Sequence, residues 1–109
     1  MFAFEIPGQR FSLPAGAAVE RFRFVSANAS SNGITANAST PIIGVSMNKA
    51  AAGEVLEIAD GIVMVEAGAA VTAGVAVASN ATGQAVAGEG PAIALTSATA
   101  AGELITVKL

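Results

Sequence analysis

The residues able to do chemistry in this sequence are few, and they are mostly carboxylates. Glu54 and Glu103 stand at matching points of a recurring stretch, Ala51-Ala52-Gly53-Glu54-Val55-Leu56 and Ala100-Ala101-Gly102-Glu103-Leu104-Ile105. Such a pair could trade protons or hold a cation. Nothing near either supplies a nucleophile, a phosphate cradle or a third ligand, so each reads as a polar residue where a turn enters a strand. Glu57 and Asp60 follow Glu54 closely, without the alternating ligands and central glycine of a calcium loop. The chain has no His and no Cys. That removes the usual general base, the usual metal ligands and every Ser-His or Cys-His device. The glycine-rich stretch 83–90 lacks a dinucleotide or P-loop fingerprint and no helix follows it. Asn28, Asn37 and Asn80 each open an Asn-x-Ser/Thr triplet, which turn formation explains. Neither an enzyme nor a bound cofactor or metal is expected.

The other chemistry on offer is docking. All five Phe fall before residue 25, and three of the five positive charges lie in the same early third. Phe side chains are efficient anchors, because they bury much area at low entropic cost. The candidate partner-binding residues are therefore Phe2, Phe4, Ile6, Arg10, Phe11, Arg21 and Arg23. The first four apolar members lie on a segment broken by Pro7-Gly8, read as an N-terminal arm over residues 1–14. It has no evident counterpart later in the chain. Two roles stay open for it: to fold back and plug its own core, or to dock on a partner or neighbouring subunit, adding a strand there.

Composition limits what such a surface can meet. Charged residues are 12% of the 109, against roughly 25% in an ordinary soluble domain. Apolar residues are 53%, but 26 are Ala and only 32 are Val, Ile, Leu, Met or Phe. The net charge is −3, with no Trp or Tyr. A nucleic-acid partner is not expected, for want of a basic stripe and stacking platforms. A glycan-stacking site lacks the same aromatics. Residues 67–88 carry no charge for 22 positions, long enough to span a bilayer. They hold no Leu, Ile or Phe, so a membrane span is not expected. The N-terminus has no basic leader and does not read as a signal peptide.

The elements that must position these residues recur. Ala15-Gly16-Ala17-Ala18-Val19 returns as Ala67-Gly68-Ala69-Ala70-Val71, an offset of 52, and Asn28-Ala29 returns as Asn80-Ala81 at the same offset. Gly33 and Pro41 match Gly83 and Pro91 at 50, and the Gly-Glu stretch matches at 49. Residues 15–58 and 67–107 thus read as two tandem copies of one unit. Each copy has alternating strand-like runs, at 19–25 and 71–77, then a polar turn, with Asn32-Gly33 a strong hairpin signal. A strand follows Pro, at 42–45 and 92–95, and another closes the unit, at 55–58 and 104–107. Between the copies Asp60-Gly61 reads as a turn and 62–65 as a further strand. A short strand at 2–6 and a helical turn at 50–52 and 98–101 are also compatible with the residues. The expected fold is all-β, a compact sandwich or barrel over residues 15–109 with an extended arm.

The second half carries a family likeness: Gly61-Ile62-Val63, then Ala67-Gly68-Ala69-Ala70-Val71-Thr72-Ala73-Gly74-Val75-Ala76-Val77, Gly83-Gln84-Ala85-Val86, and Ala100-Ala101-Gly102-Glu103-Leu104-Ile105-Thr106-Val107-Lys108-Leu109. This resembles the capsid cement, or head decoration, proteins of tailed bacteriophages over residues 15–109. Val75 stands where that pattern tends to have an acid. The resemblance implies a non-enzymatic virion protein, made in the host cytoplasm, on the outer surface of an icosahedral capsid. Its partners would be the major capsid protein and itself, as a homo-oligomer and most often a trimer. It would bridge neighbouring capsid subunits against internal pressure. The rival reading is a β-rich binding module of a phage or bacterial fibre or adhesin.

Overall fold

The computed structural model describes residues 3–109, so Phe2 lies outside the described residues. Nine strands follow in chain order: β1 (Ile6–Pro14), β2 (Phe24–Ala27), β3 (Gly33–Thr35), β4 (Gly44–Ser46), β5 (Val55–Glu66), β6 (Ala76–Ser79), β7 (Ala85–Ala87), β8 (Ala92–Ala94) and β9 (Leu104–Lys108). No helix occurs among the described residues, and so none is long and apolar enough to cross a membrane. Every strand pairing is antiparallel. The strands form one curled sheet in the order β3-β2-β4-β5-β9-β8-β6-β7, with β1 on the flank of β5. The fold is all-β, as the spacing of turn residues predicts.

The long β5 organises the molecule. Its first part, residues 55–59, pairs with β1, Arg10 opposite Ala59 and Pro14 opposite Val55. Its last part, residues 62–66, pairs with β9, Ile62 opposite Lys108 and Glu66 opposite Leu104. The pairing in the N-terminal half thus corresponds strand for strand to that in the C-terminal half. β1 stands to early β5 as late β5 stands to β9, so the arm does have a counterpart, at residues 62–66. Between the halves the residues predict a turn at Asp60-Gly61. Instead the strand runs straight through: β1 spans the point, with Pro7 opposite Gly61 and Arg10 opposite Ala59 across a register shift, so the left-handed Gly61 (φ 88°) marks an irregularity in the ladder and not a reversal of the chain.

The correspondence extends to the loops. Val19 bridges Ala50 and Val71 bridges Ala98. Asn28 Oδ1 accepts the N–H groups of Ser30 and Asn32, and Asn80 Oδ1 accepts those of Thr82 and Gln84. These Asx turns reverse the chain before β3 and β7. The residue with positive φ is Ser31 (62°) in one and Gly83 (78°) in the other. Hence the hairpin forms without Asn32 or Gly33 turning left-handed, and Gly83 corresponds to Ser31, not to Gly33. Gly33 is needed for space: a Cβ there would lie 2.9 Å from Leu56 Cδ2.

The expected strands at 19–25 and 71–77 are shorter than the alternation suggests. Phe22 (φ 64°) and Gly74 (φ 92°) turn left-handed at corresponding points, and β2 and β6 begin two residues later. Phe22 N–H donates to Ser46 O at 3.0 Å while Ser46 N–H donates to Arg23 O at 2.9 Å; Gly74 and Val75 do the same with Ala94, at 2.7 and 2.9 Å. Two residues facing one across the ladder make a β-bulge of the kind that favours glycine at its first position. The loops at 50–52 and 98–101 are turns, not helix.

Two cores result. Ala15, Val19, Val25, Ala50, Leu56 and Ile58 fill the inside of the N-terminal half. The corresponding Ala67, Val71, Val77, Ala98, Ile105 and Val107 fill the C-terminal half, but they belong to a larger cluster that also takes in Phe24, Ala36, Val45 and Ala59. Those four lie on the other face of the N-terminal sheet, so the C-terminal half is packed against it. Small side chains allow the close approach: a Cβ on Gly83 of the C-terminal half would lie 2.8 Å from Thr35 Cγ2 and 3.0 Å from Phe24 O.

Candidate interaction surface

The two candidate carboxylates each serve their own turn. Glu54 Oε1 accepts from Ala51 N–H at 2.7 Å. Glu103 accepts from the Thr99 hydroxyl at 2.6 Å and from Thr99 N–H at 3.1 Å. The Thr99 hydroxyl, then its N–H, hold the Glu103 carboxyl below the ordinary 4.5. Among the described residues no group of three or more His, Cys, Asp or Glu is placed to hold a metal ion. Two open clefts, of about 290 and 270 Å³, lie along the Ile42 and Pro91 edges. The first has Asp60 as its one charged side chain, beside Ile42, Ile43 and Leu109.

The arm is tied down and still presents its apolar side chains. Thr106 Oγ1 donates to Phe4 O at 2.7 Å and accepts from Phe4 N–H, and Gln9 N–H donates to Asp60 at 2.9 Å. Leu13 packs on the N-terminal core. Phe4 (37%), Ile6 (62%) and Phe11 (36%) keep much of their area in solvent. Residues 6–14 therefore fold back as a strand, and Phe4 and Phe11 are left partly exposed. Arg10 lies beside it in an exposed ion pair with Glu57, Nη2 to Oε1 3.0 Å.

The other two arginines part company. Arg21 is exposed and stacks over the half-buried Phe22 ring, 4.4 Å from its centroid, a cation–π contact that screens a ring held in the left-handed region. Arg23 turns inward. Its Nη2 meets Glu66 Oε2 at 2.8 Å and its Nη1–H donates to Thr82 O at 3.2 Å. Gln84 Nε2–H donates to the same Glu66 oxygen at 2.6 Å. The backbone closes the same junction: Phe24 N–H donates to Gly83 O at 2.7 Å and Glu66 N–H to Phe22 O at 2.9 Å. Arg23 thus joins the two halves and is committed to that contact. Glu66, Thr82 and Gln84 are not among the sequence candidates, since their meeting with Arg23 depends on how the halves pack.

Four further large apolar side chains are exposed: Val55, Val75, Ile93 and Leu104. Val55 and Leu104 occupy corresponding strand positions, and Val75 and Ile93 correspond to Arg23 and Val45. Ile93 is exposed where Val45 is buried, whereas Val55 and Leu104 are exposed in both halves.

A surface with apolar strips, no convergent polar pocket among the described residues and a repeated β unit suits binding of a large partner. A comparison with curated proteins finds no match. Among solved structures the chain is similar to the head fiber gp8.5 N base of bacteriophage phi29. The TM-score is 0.75 at 19% identity, over 93% of this chain and 92% of that one; the likeness is one of fold. The family model described as phage cement protein matches residues 6–109, which takes in the whole sheet from the first residue of β1. The chain belongs to the phage cement protein family.

Proposed function

We propose that this protein binds the outer surface of an icosahedral phage capsid as a homo-oligomer, a trimer by expectation. There it ties neighbouring major capsid subunits together. The family match over residues 6–109 carries the reading. The chemistry is bridging, not catalysis: a protein that binds only the assembled shell stabilises it by mass action, and many copies add through avidity. The exposed arm, with Phe4, Ile6, Arg10 and Phe11, and Arg21 on its Phe22 shelf, is the surface proposed to meet the capsid; Phe2 extends the same segment. Part of this reading is that the chain consists of two copies of one unit. The strand-for-strand pairing supports it, with the first copy starting at β1 and not at Ala15.

A second reading keeps the location and changes the role. The likeness to a head fiber base fits a base that seats a projecting fibre on the head. Both readings require capsid binding. Purified full-length protein mixed with expanded, undecorated heads of its own phage should co-sediment at micromolar concentration and raise the temperature at which the heads rupture. Binding without a gain in rupture temperature favours the fibre base. No co-sedimentation overturns both.

A further inference from the structure

The contact between the two halves is made once, although the parts for it occur twice. In the filled contact the 80–84 loop sits on the edge of β2. Phe24 N–H bonds Gly83 O, and Arg23 and Gly83 are covered. The corresponding edge of the C-terminal half is empty. Ala76 N–H, equivalent to Phe24 N–H, makes no such bond to a loop carbonyl among the described residues. Val75, equivalent to Arg23, is 36% exposed, and Ile93, equivalent to the buried Val45, is 42% exposed. The matching loop of the N-terminal half, around Ser31, is exposed too.

From this asymmetry we infer that a second copy of the chain docks head to tail: the loop around Ser31 of one copy seats on the Val75–Ala76 edge of the next. The inference rests on the two-copy and self-association parts of the reading above, and it names the surfaces. Three observations say that the occupant is this chain. First, the backbone of the loop around Ser31 already has the shape that seats around Gly83, with the same Asx turn and the same left-handed residue. Second, the sizes are complementary. A Cβ at Gly83 would lie 2.8 Å from Thr35 Cγ2, 3.0 Å from Phe24 O and 3.2 Å from Arg23 Cβ, so the filled seat is tight for anything but glycine. The residue corresponding to Thr35 is Ala87, whose lack of a Cγ2 removes the shortest of these contacts, and Ser31, which has a Cβ, would meet the equivalents of the other two, Ala76 O and Val75 Cβ, after a small outward shift. Third, the charges are matched by neutral groups. Where Arg23 meets Glu66 inside the chain, Val75 would meet Pro14, and an apolar pair replaces an ion pair. One bond is given up, since Pro14 has no N–H to repeat the Glu66-to-Phe22 contact. Such a contact uses different patches on the two partners, so repetition closes into a ring or runs on as a filament.

The chain has no cysteine, so a designed pair reports the contact cleanly. A Cβ on Gly83 would lie 3.2 Å from Arg23 Cβ. Allowing for slight relaxation, Ser31→Cys and Val75→Cys fall within disulfide reach across the proposed contact. Under mild oxidation the double variant should give covalent species beyond a dimer on a non-reducing gel. Each single variant should give no species beyond a dimer. A double variant that stays monomeric on the gel overturns the inference. So does wild-type protein that is monomeric by light scattering at tens of micromolar. Val75→Glu provides a second arm: circular dichroism should be unchanged and the oligomer lost, and an intact oligomer in a folded variant again overturns the inference. Capsid co-sedimentation is scored separately. Oligomers that do not bind heads sink the capsid-binding reading and leave the contact standing, and monomers that do bind heads sink the head-to-tail contact together with the self-association it rests on, and leave capsid binding standing.

Discussion

The N-terminal and C-terminal halves share a backbone plan and differ in what covers it. In the N-terminal half the outer face of the sheet carries Phe24, Ala36, Val45 and Ala59, all fully buried. In the C-terminal half the corresponding positions are Ala76, Gly88, Ile93 and Lys108, three of them exposed. The large side chain stands where a neighbour lies on it within the same chain. Where no neighbour is present, a small or charged one stands instead, with Ile93 the exception that marks the open seat. Equivalent strands thus have different surroundings: one face is core, the other is surface. The backbone alone does not decide this. The neighbour that each half has, or lacks, within the chain does.

Removing the anchor of the filled face should have the largest effect. Phe24→Ala takes a fully buried ring out of the contact between the halves, at a cost of about 3–5 kcal/mol. Denaturant unfolding should show this as a lower midpoint. If the halves were held mainly by β5, the loss would instead stay near the cost of trimming an exposed residue. The same substitution at Ile93 should cost under about 1 kcal/mol in the isolated chain.

How much of this the residues announce varies by element. The end of β5 reads directly from its alternation, because Val63 and Val65 are buried and Ile62, Met64 and Glu66 are only partly so; β9 alternates in residue type, yet Thr106 is buried along with Ile105 and Val107. The bulge at Phe22 does not. A phenylalanine gives no hint of a left-handed backbone, and the alternation of Arg21, Phe22, Arg23 and Phe24 imitates a strand. Its structural counterpart Gly74 does announce the turn, so the C-terminal half is the better guide to the N-terminal one. Asp60-Gly61 misleads for the opposite reason. It is a strong hairpin pair, yet the strands beside it belong to different halves. Of the candidate surface, the clustered Phe of the arm are legible from spacing alone. The Arg23–Glu66 pair is not, because the two lie 43 residues apart and meet only after both halves have folded.

The bulge gives the middle-sized test. Gly74 has φ 92°, and a Cβ added there would meet nothing within 4 Å. Gly74→Ala therefore makes no clash and bears only the left-handed cost, about 1–2 kcal/mol. Phe22 already bears that cost, which ring stacking under Arg21 and burial partly offset. Phe22→Gly should therefore change stability by less than about 1 kcal/mol in either direction, far below the usual loss for trimming a phenylalanine. Thermal unfolding of the two variants side by side checks the pair. A large loss at Phe22 with none at Gly74 would mean that the two bulges are not equivalent.

The smallest difference between the halves lies at the two glutamates. Both cap the turn before a closing strand, but Glu103 has the hydroxyl of Thr99 to bond, an extra residue between Ala98 and Ala100, where the N-terminal half passes directly from Ala50 to Ala51. Its depressed pKa means that the folded state favours the carboxylate. The stabilisation is complete above the ordinary value of 4.5 and is lost as pH falls through the lower folded value. Thr99→Ala removes the largest cause and leaves the N–H of residue 99. The Glu103 carboxyl should then titrate closer to 4.5, which a side-chain NMR titration reads directly. The carboxyl is exposed, so water can replace the hydroxyl and the effect on unfolding should be slight. An unchanged titration would show that the backbone N–H groups, which both turns possess, hold the carboxylate by themselves. The halves would then be alike at this point too, and their difference would reduce to the faces that do and do not have a neighbour.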